Sequence, residues 1–147
     1  MAGGVSLGRL VAEARLRPSL TVEIARQTCS ALVEAHNGGI VHRDLKPDNL
    51  HLLVQSDGSF HAKLLDFGIA FPQEATTKLT DTGMMCGTAT YMAPEQARGR
   101  EVDGQADLYS LGIILFQMVT GVLPFQGDSG FEIIRQQVED SPPDPTQ

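Results

Sequence analysis

The sequence predicts an α+β domain, mainly helical, with a small β-hairpin and one buried central helix. Three observations carry this. Residues 20–36 place Ile24, Thr28, Ala31, Leu32 and Ala35 at helical spacing. Two apolar runs, 50–54 and 62–65, flank the turn Ser56-Asp57-Gly58-Ser59 and read as a hairpin. Residues 103–119 are apolar nearly all round a helix, which marks a buried one.

The other elements follow in chain order. Ser6 is placed to cap a short helix over 6–16, with Leu7, Leu10, Val11 and Ala14 on one face. Pro18-Ser19 breaks the chain and restarts it. Asn37-Gly38-Gly39 stops the second helix, because glycine accepts the left-handed cap. Residues 40–42 are expected as a short strand. Residues 71–87 have no period and are rich in Thr and Gly, which predicts a long loop, functional or mobile. Gly121 and Pro124 end the central helix. A final helix is expected over 129–138, and the prolines of 141–145 forbid another.

At 147 residues the chain suffices for one compact domain with a core. Aromatics are 5% with no Trp, so that core must be aliphatic. A net charge of -7 argues against nonspecific nucleic-acid binding, which needs clustered Lys and Arg. Cys29 and Cys86 lack metal-ligand spacing and read as free thiols of a reducing, cytoplasmic setting. The first residues lack the charged-then-apolar order of a signal peptide. The longest apolar stretch, 111–119, is too short to span a bilayer and is interrupted by Gln117, so no membrane segment is expected.

The chemistry concentrates in His42-Arg43-Asp44-Leu45-Lys46-Pro47-Asp48-Asn49. Phosphoryl transfer to a hydroxyl needs a group to take or orient the hydroxyl proton and ligands for a metal on the phosphates. Asp44 suits the first task and Asn49 the second. Pro47 restricts the loop between them, and Lys46 offers a point charge for a phosphate. The bland alternative is a charged surface turn, and an isolated His-Arg-Asp would leave that ahead. Asp66-Phe67-Gly68 supplies a carboxylate at a strand end, suited to Mg²⁺, and a glycine for a sharp turn. Further on comes Gly87-Thr88-Ala89-Thr90-Tyr91-Met92-Ala93-Pro94-Glu95.

Three such motifs in this order and with these gaps resemble the C-terminal lobe of the protein kinase family, in its eukaryotic-like Ser/Thr form. The wording around Tyr91–Gly99 and Asp107–Gly112 is similar to bacterial members. The resemblance implies an enzyme that uses ATP and Mg²⁺ and acts on protein Ser/Thr hydroxyls. It implies Asp44 as base or orienter, Lys46 as the phosphate lysine of Ser/Thr kinases, and Asn49 and Asp66 as metal ligands. Thr88 resembles the threonine that bonds Asp44 and Lys46. Asp107 would bond backbone around His42-Arg43, and His42 and Phe67 would belong to a hydrophobic stack. Arg43 implies regulation by a phosphate on the activation loop, with Thr80 and Thr82 favoured over Thr76 and Thr77.

The same resemblance covers nearly all of residues 1–147 as a partial kinase domain, with the small lobe absent. No lysine precedes Lys46, so the strand lysine that grips the α and β phosphates has no counterpart. The arginine that pairs with the glutamate of Ala-Pro-Glu is likewise lacking, which leaves Glu95 without its family partner. His51 stands where the family carries an aliphatic residue beneath the adenine. The chain alone is therefore expected to lack appreciable activity, and apolar surface near residues 103–119 is expected to favour self-association. Two other readings stand beside the enzyme: a non-catalytic kinase-like binding module, and a truncated frame with no role of its own.

Overall fold

The computed structural model describes residues 4–67 and 89–146. The elements begin with strand β1 (Gly4–Ser6), helix α1 (Leu7–Glu13) and helix α2 (Pro18–Asn37). A single 3-10 turn (Pro47–Asn49) leads into the hairpin β2 (Leu50–Val54) and β3 (Phe60–Leu64). Helices α3 (Pro94–Ala97), α4 (Gly104–Thr120) and α5 (Gly130–Glu139) follow. The expected loop over 71–87 lies outside the described residues, as do Gly68, Thr80, Thr82, Cys86 and Thr88.

The helix signals act where the sequence placed them. Ser6 Oγ accepts the N–H of Gly8 and caps α1. Pro18 opens α2, where a missing N–H costs nothing. Asp103 and Ser129 cap α4 and α5, and Gly121 closes α4 at φ 81°. At the end of α2, Gly39 rather than Gly38 takes the left-handed conformation, at φ 73°.

Two expectations are corrected and a third, the hairpin, is extended. Helix α1 stops at Glu13 instead of 16, because Ala14 is extended and Leu16 N–H bonds Met118 O at 2.6 Å. Residues 40–42 are not a strand: Ile40 N–H bonds Ala35 O, and that of His42 is taken by a side chain. The hairpin is part of a three-stranded antiparallel sheet in the order β1-β2-β3, since Gly4–Ser6 pairs along β2.

The main core joins Leu7 and Val11 of α1, Ile24 and Leu32 of α2, Leu50 and Leu52 of β2, and Leu111, Ile114 and Met118 of α4. A second cluster, Ile113, Phe125 and Ile133, lies on another face of α4. One helix serving two clusters accounts for its apolar composition. Its burial is not complete, for Leu108 is 53% exposed. Among the described residues, no helix is long and apolar enough to cross a membrane.

Candidate active site

The loop between α2 and β2 is fastened to the core by four buried residues. His42 and Leu45 are 0% and 1% exposed, and Pro47 and Asn49 are also buried. Leu45 belongs to the main core, so burial of an ordinary leucine, about 1.5–3 kcal/mol, holds the loop down. Arg43 and Asp48 face outward, while Asp44 and Lys46 are half-buried.

The anchored turn brings three sequence-predicted residues together. Lys46 Nζ donates to Asp44 Oδ2 at 2.8 Å. Asn49 Nδ2 donates to Asp44 O at 2.9 Å and lies 3.5 Å from Asp44 Oδ2. Asp44 Oδ1 and Asn49 Oδ1 make no hydrogen bond among the described residues. Among the described residues, one carboxylate oxygen and one amide oxygen of the loop are therefore left as acceptors.

Asp107, on the first turn of α4, is fully buried beneath this loop. Its Oδ2 accepts the backbone N–H of His42 at 2.9 Å, and its Oδ1 accepts that of Arg43 at 2.8 Å. Such donors are what a buried carboxyl requires. Arg43 sits at φ 65°, a left-handed conformation that disfavours a side chain. Asp107 thus holds a strained backbone just before Asp44.

His42 is fixed on both ring nitrogens. One meets Leu65 O at 2.9 Å, and Nδ1 receives the N–H of Asp44 at 3.3 Å. That pattern assigns the neutral tautomer with the proton on Nε2. The ring packs against Phe67, with centroids 4.9 Å apart at 48°. Asp66, just before Phe67, is exposed at φ 53° and has no hydrogen bond among the described residues. Leu65 N–H bonds Asn49 O at 2.8 Å, which ties the strand leading to Asp66 to the turn carrying Asn49.

His51 lies on β2 opposite Ser6 of β1 and Lys63 of β3. It is half-buried on the sheet face away from buried Leu50 and Leu52. The guanidinium of Arg43 and the carboxylate of Glu95 make no ion pair among the described residues.

Two contributors escape a reading of the sequence. His36, at the last turn of α2, places Nε2 2.7 Å from Asp107 Oδ2. A Cβ on Gly104 would meet the His36 ring at 2.7 Å, so the glycine leaves space for that contact. Gln96 of α3 donates from Nε2 to Arg43 O at 2.7 Å and accepts the N–H of Ala93 on Oε1 at 3.1 Å. No local pattern signals His36, whose partner is 71 positions away. Gln96 does have one: glutamine three residues after a helix N-cap.

The segment 89–93 packs over α4 and α5. Ser110 Oγ lies 2.7 Å from Tyr91 O, Gln137 Nε2 donates to Thr90 O at 2.6 Å, and Tyr91 OH donates to Gln117 Oε1 at 2.8 Å. Burial, helped by the charge of Asp48, pushes the Tyr91 hydroxyl up to about 12. Tyr109 is also pushed up to about 12, by burial and then by Glu95.

The family model described as the protein kinase domain matches residues 1–145. The chain is 43% identical over 134 residues to the serine/threonine-protein kinase pkn3 of Myxococcus xanthus, covering 89% of this chain and 24% of that protein. It is 47% identical over 130 residues to Pkn1 of the same organism, covering 87% and 19%. PknB of Mycobacterium leprae (strain TN) is 42% identical over 130 residues, covering 88% and 20%. The chain thus spans only a fifth to a quarter of the length of these relatives. With a catalytic-loop motif folded around Asp44 and a family match along almost the whole sequence, the chain belongs to the protein kinase family.

Proposed function

We propose that residues 1–147 form the catalytic-loop half of a bacterial-type Ser/Thr protein kinase domain, which transfers phosphoryl groups from ATP to protein Ser and Thr hydroxyls. The observation that carries it is the convergence of Lys46 and Asn49 on Asp44. Lys46 and Asn49 engage Asp44 through Oδ2, which leaves Oδ1 for a substrate hydroxyl among the described residues. There Asp44 accepts the hydroxyl's hydrogen bond and orients its oxygen toward the phosphorus. Lys46, already at Asp44, adds positive charge beside the transferring group. Thr88, outside the described residues, is assigned to the same site on the resemblance.

The residues present fit Mg²⁺. Asn49 Oδ1 and the Asp66 carboxylate are hard oxygen donors without other partners among the described residues. The described residues hold no cluster of three or more His, Cys, Asp or Glu, so phosphate and water oxygens would complete the shell. When bound, the ion neutralises phosphate charge. His51 is assigned to the floor under the purine, on the open face of the sheet.

Arg43, with its outward guanidinium, is assigned as the receiver of a phosphate on Thr80 or Thr82. Protein substrates are the partners of the reaction, and the setting is cytoplasmic.

Radiolabelled ATP tests the reading. The chain joined behind a relative's small lobe transfers label to Ser and Thr of a protein substrate, and Asp44→Asn abolishes it. Chain alone gives no appreciable transfer. Absence of transfer in the joined protein sinks the proposal.

A further inference from the structure

The peptide between Arg43 and Asp44 is gripped at both ends of its dipole. Its carbonyl, Arg43 O, receives Gln96 Nε2 at 2.7 Å. Its N–H, that of Asp44, points at His42 Nδ1 at 3.3 Å. The preceding N–H, that of Arg43, is held by Asp107 at 2.8 Å. Arg43 is left-handed at φ 65°, so this peptide plane is not one the chain would adopt unaided.

Gln96 uses both ends of its amide. Its Oε1 accepts from Ala93 N–H at 3.1 Å, which fixes the amide orientation and leaves Nε2 for Arg43 O. Ala93 has no side-chain acceptor, so only this reverse half of a capping box exists. Ala93 is 0% exposed and ends the segment 89–93, which Ser110 and Gln137 hold to α4 and α5. One side-chain amide therefore joins that segment to the peptide plane from which Asp44 projects.

We infer that Gln96 is a positioning residue for Asp44: it sets the Arg43–Asp44 peptide plane and couples it to the arrangement of residues 89–93. The inference rests on the reading of Asp44 as the residue that orients the acceptor hydroxyl. Gln96 touches no reacting atom in this scheme. Its effect reaches the chemistry through the direction of one carboxylate, where small misplacements are costly.

Two substitutions separate positioning from helix capping. Gln96→Glu retains an acceptor for Ala93 N–H but sets carboxylate oxygens against Arg43 O. Gln96→Ala removes both contacts. Hydrogen exchange on the full chain is expected to quicken at the Asp44 amide by about tenfold in both variants, the scale of one lost hydrogen bond. Exchange at Ile24 and Leu32 stays unchanged. In the small-lobe-joined kinase, kcat falls about tenfold while the KM for ATP holds.

Wild-type exchange at Asp44 in Gln96→Glu, with a change only in Gln96→Ala, would make Gln96 a helix cap and overturn the inference. So would equal quickening at Ile24 and Leu32, or an unchanged kcat in both variants. If the joined wild-type protein transfers no phosphate, the functional reading fails, and the exchange data still decide whether Gln96 sets the peptide plane.

Discussion

Asp107 Oδ1 accepts the backbone N–H of Arg43 at 2.8 Å, from a helix that begins 61 residues further along the chain. The same carboxyl takes the N–H of His42 and the ring of His36 on its other oxygen. Three donors thus converge on one fully buried side chain. Replacing Asp107 with leucine strands all three. Of the three, the His42 N–H is buried while the His36 ring is part-exposed; one unsatisfied buried group costs about 1–3 kcal/mol, so urea unfolding is expected to show a loss in that range. A loss under about 1 kcal/mol would contradict the assigned geometry.

The contact of His36 with Asp107 depends on the missing side chain of Gly104. Gly104→Ala drives a methyl into the imidazole and should destabilise by about 1–3 kcal/mol. With His36→Ala already in place the clash is gone, and the better helix propensity of alanine should make Gly104→Ala neutral or stabilising by up to about 1 kcal/mol. A double-mutant cycle measures the difference. Additive effects would show that the two residues do not meet.

Much of the fold was legible because its signals are local. Ser6, Pro18, Asp103, Gly121 and Ser129 mark helix ends through atoms within a few residues. The hairpin register follows from its turn and alternating apolar residues. Strand β1 was hidden because Gly4–Ser6 is three residues long and exists through pairing with β2. Residues 40–42 misled because β-branched Ile40 and Val41 favour a strand, yet among the described residues no strand pairs with them. In the site, Asp44, Lys46 and Asn49 were legible from a contiguous run. His36 was not, since its contact with Asp107 joins distant segments, and the local pattern at Gln96 signals its bond to Ala93 but not the one to Arg43.

The chain has two tyrosines, Tyr91 and Tyr109, and burial is the main cause raising both from 10.0 to about 12. Both hydroxyls stay protonated in the folded chain at pH values where the unfolded chain ionises. Their contribution is complete below pH 10 and is lost as pH rises toward about 12. Phenolate absorbance should therefore be nearly absent at pH 10 and appear together with unfolding. Half-titration near pH 10 with the fold intact would contradict the burial of these hydroxyls.

The most direct measurement is the ratio of phosphoryl-transfer rates for wild type and Asp44→Asn in the small-lobe-joined protein, with phosphoamino-acid analysis of the product. The account predicts label on Ser and Thr and a fall of about a hundred- to ten-thousandfold, the range for loss of a positioned acid–base group. Equal rates for the two proteins, or no transfer by wild type, would contradict it.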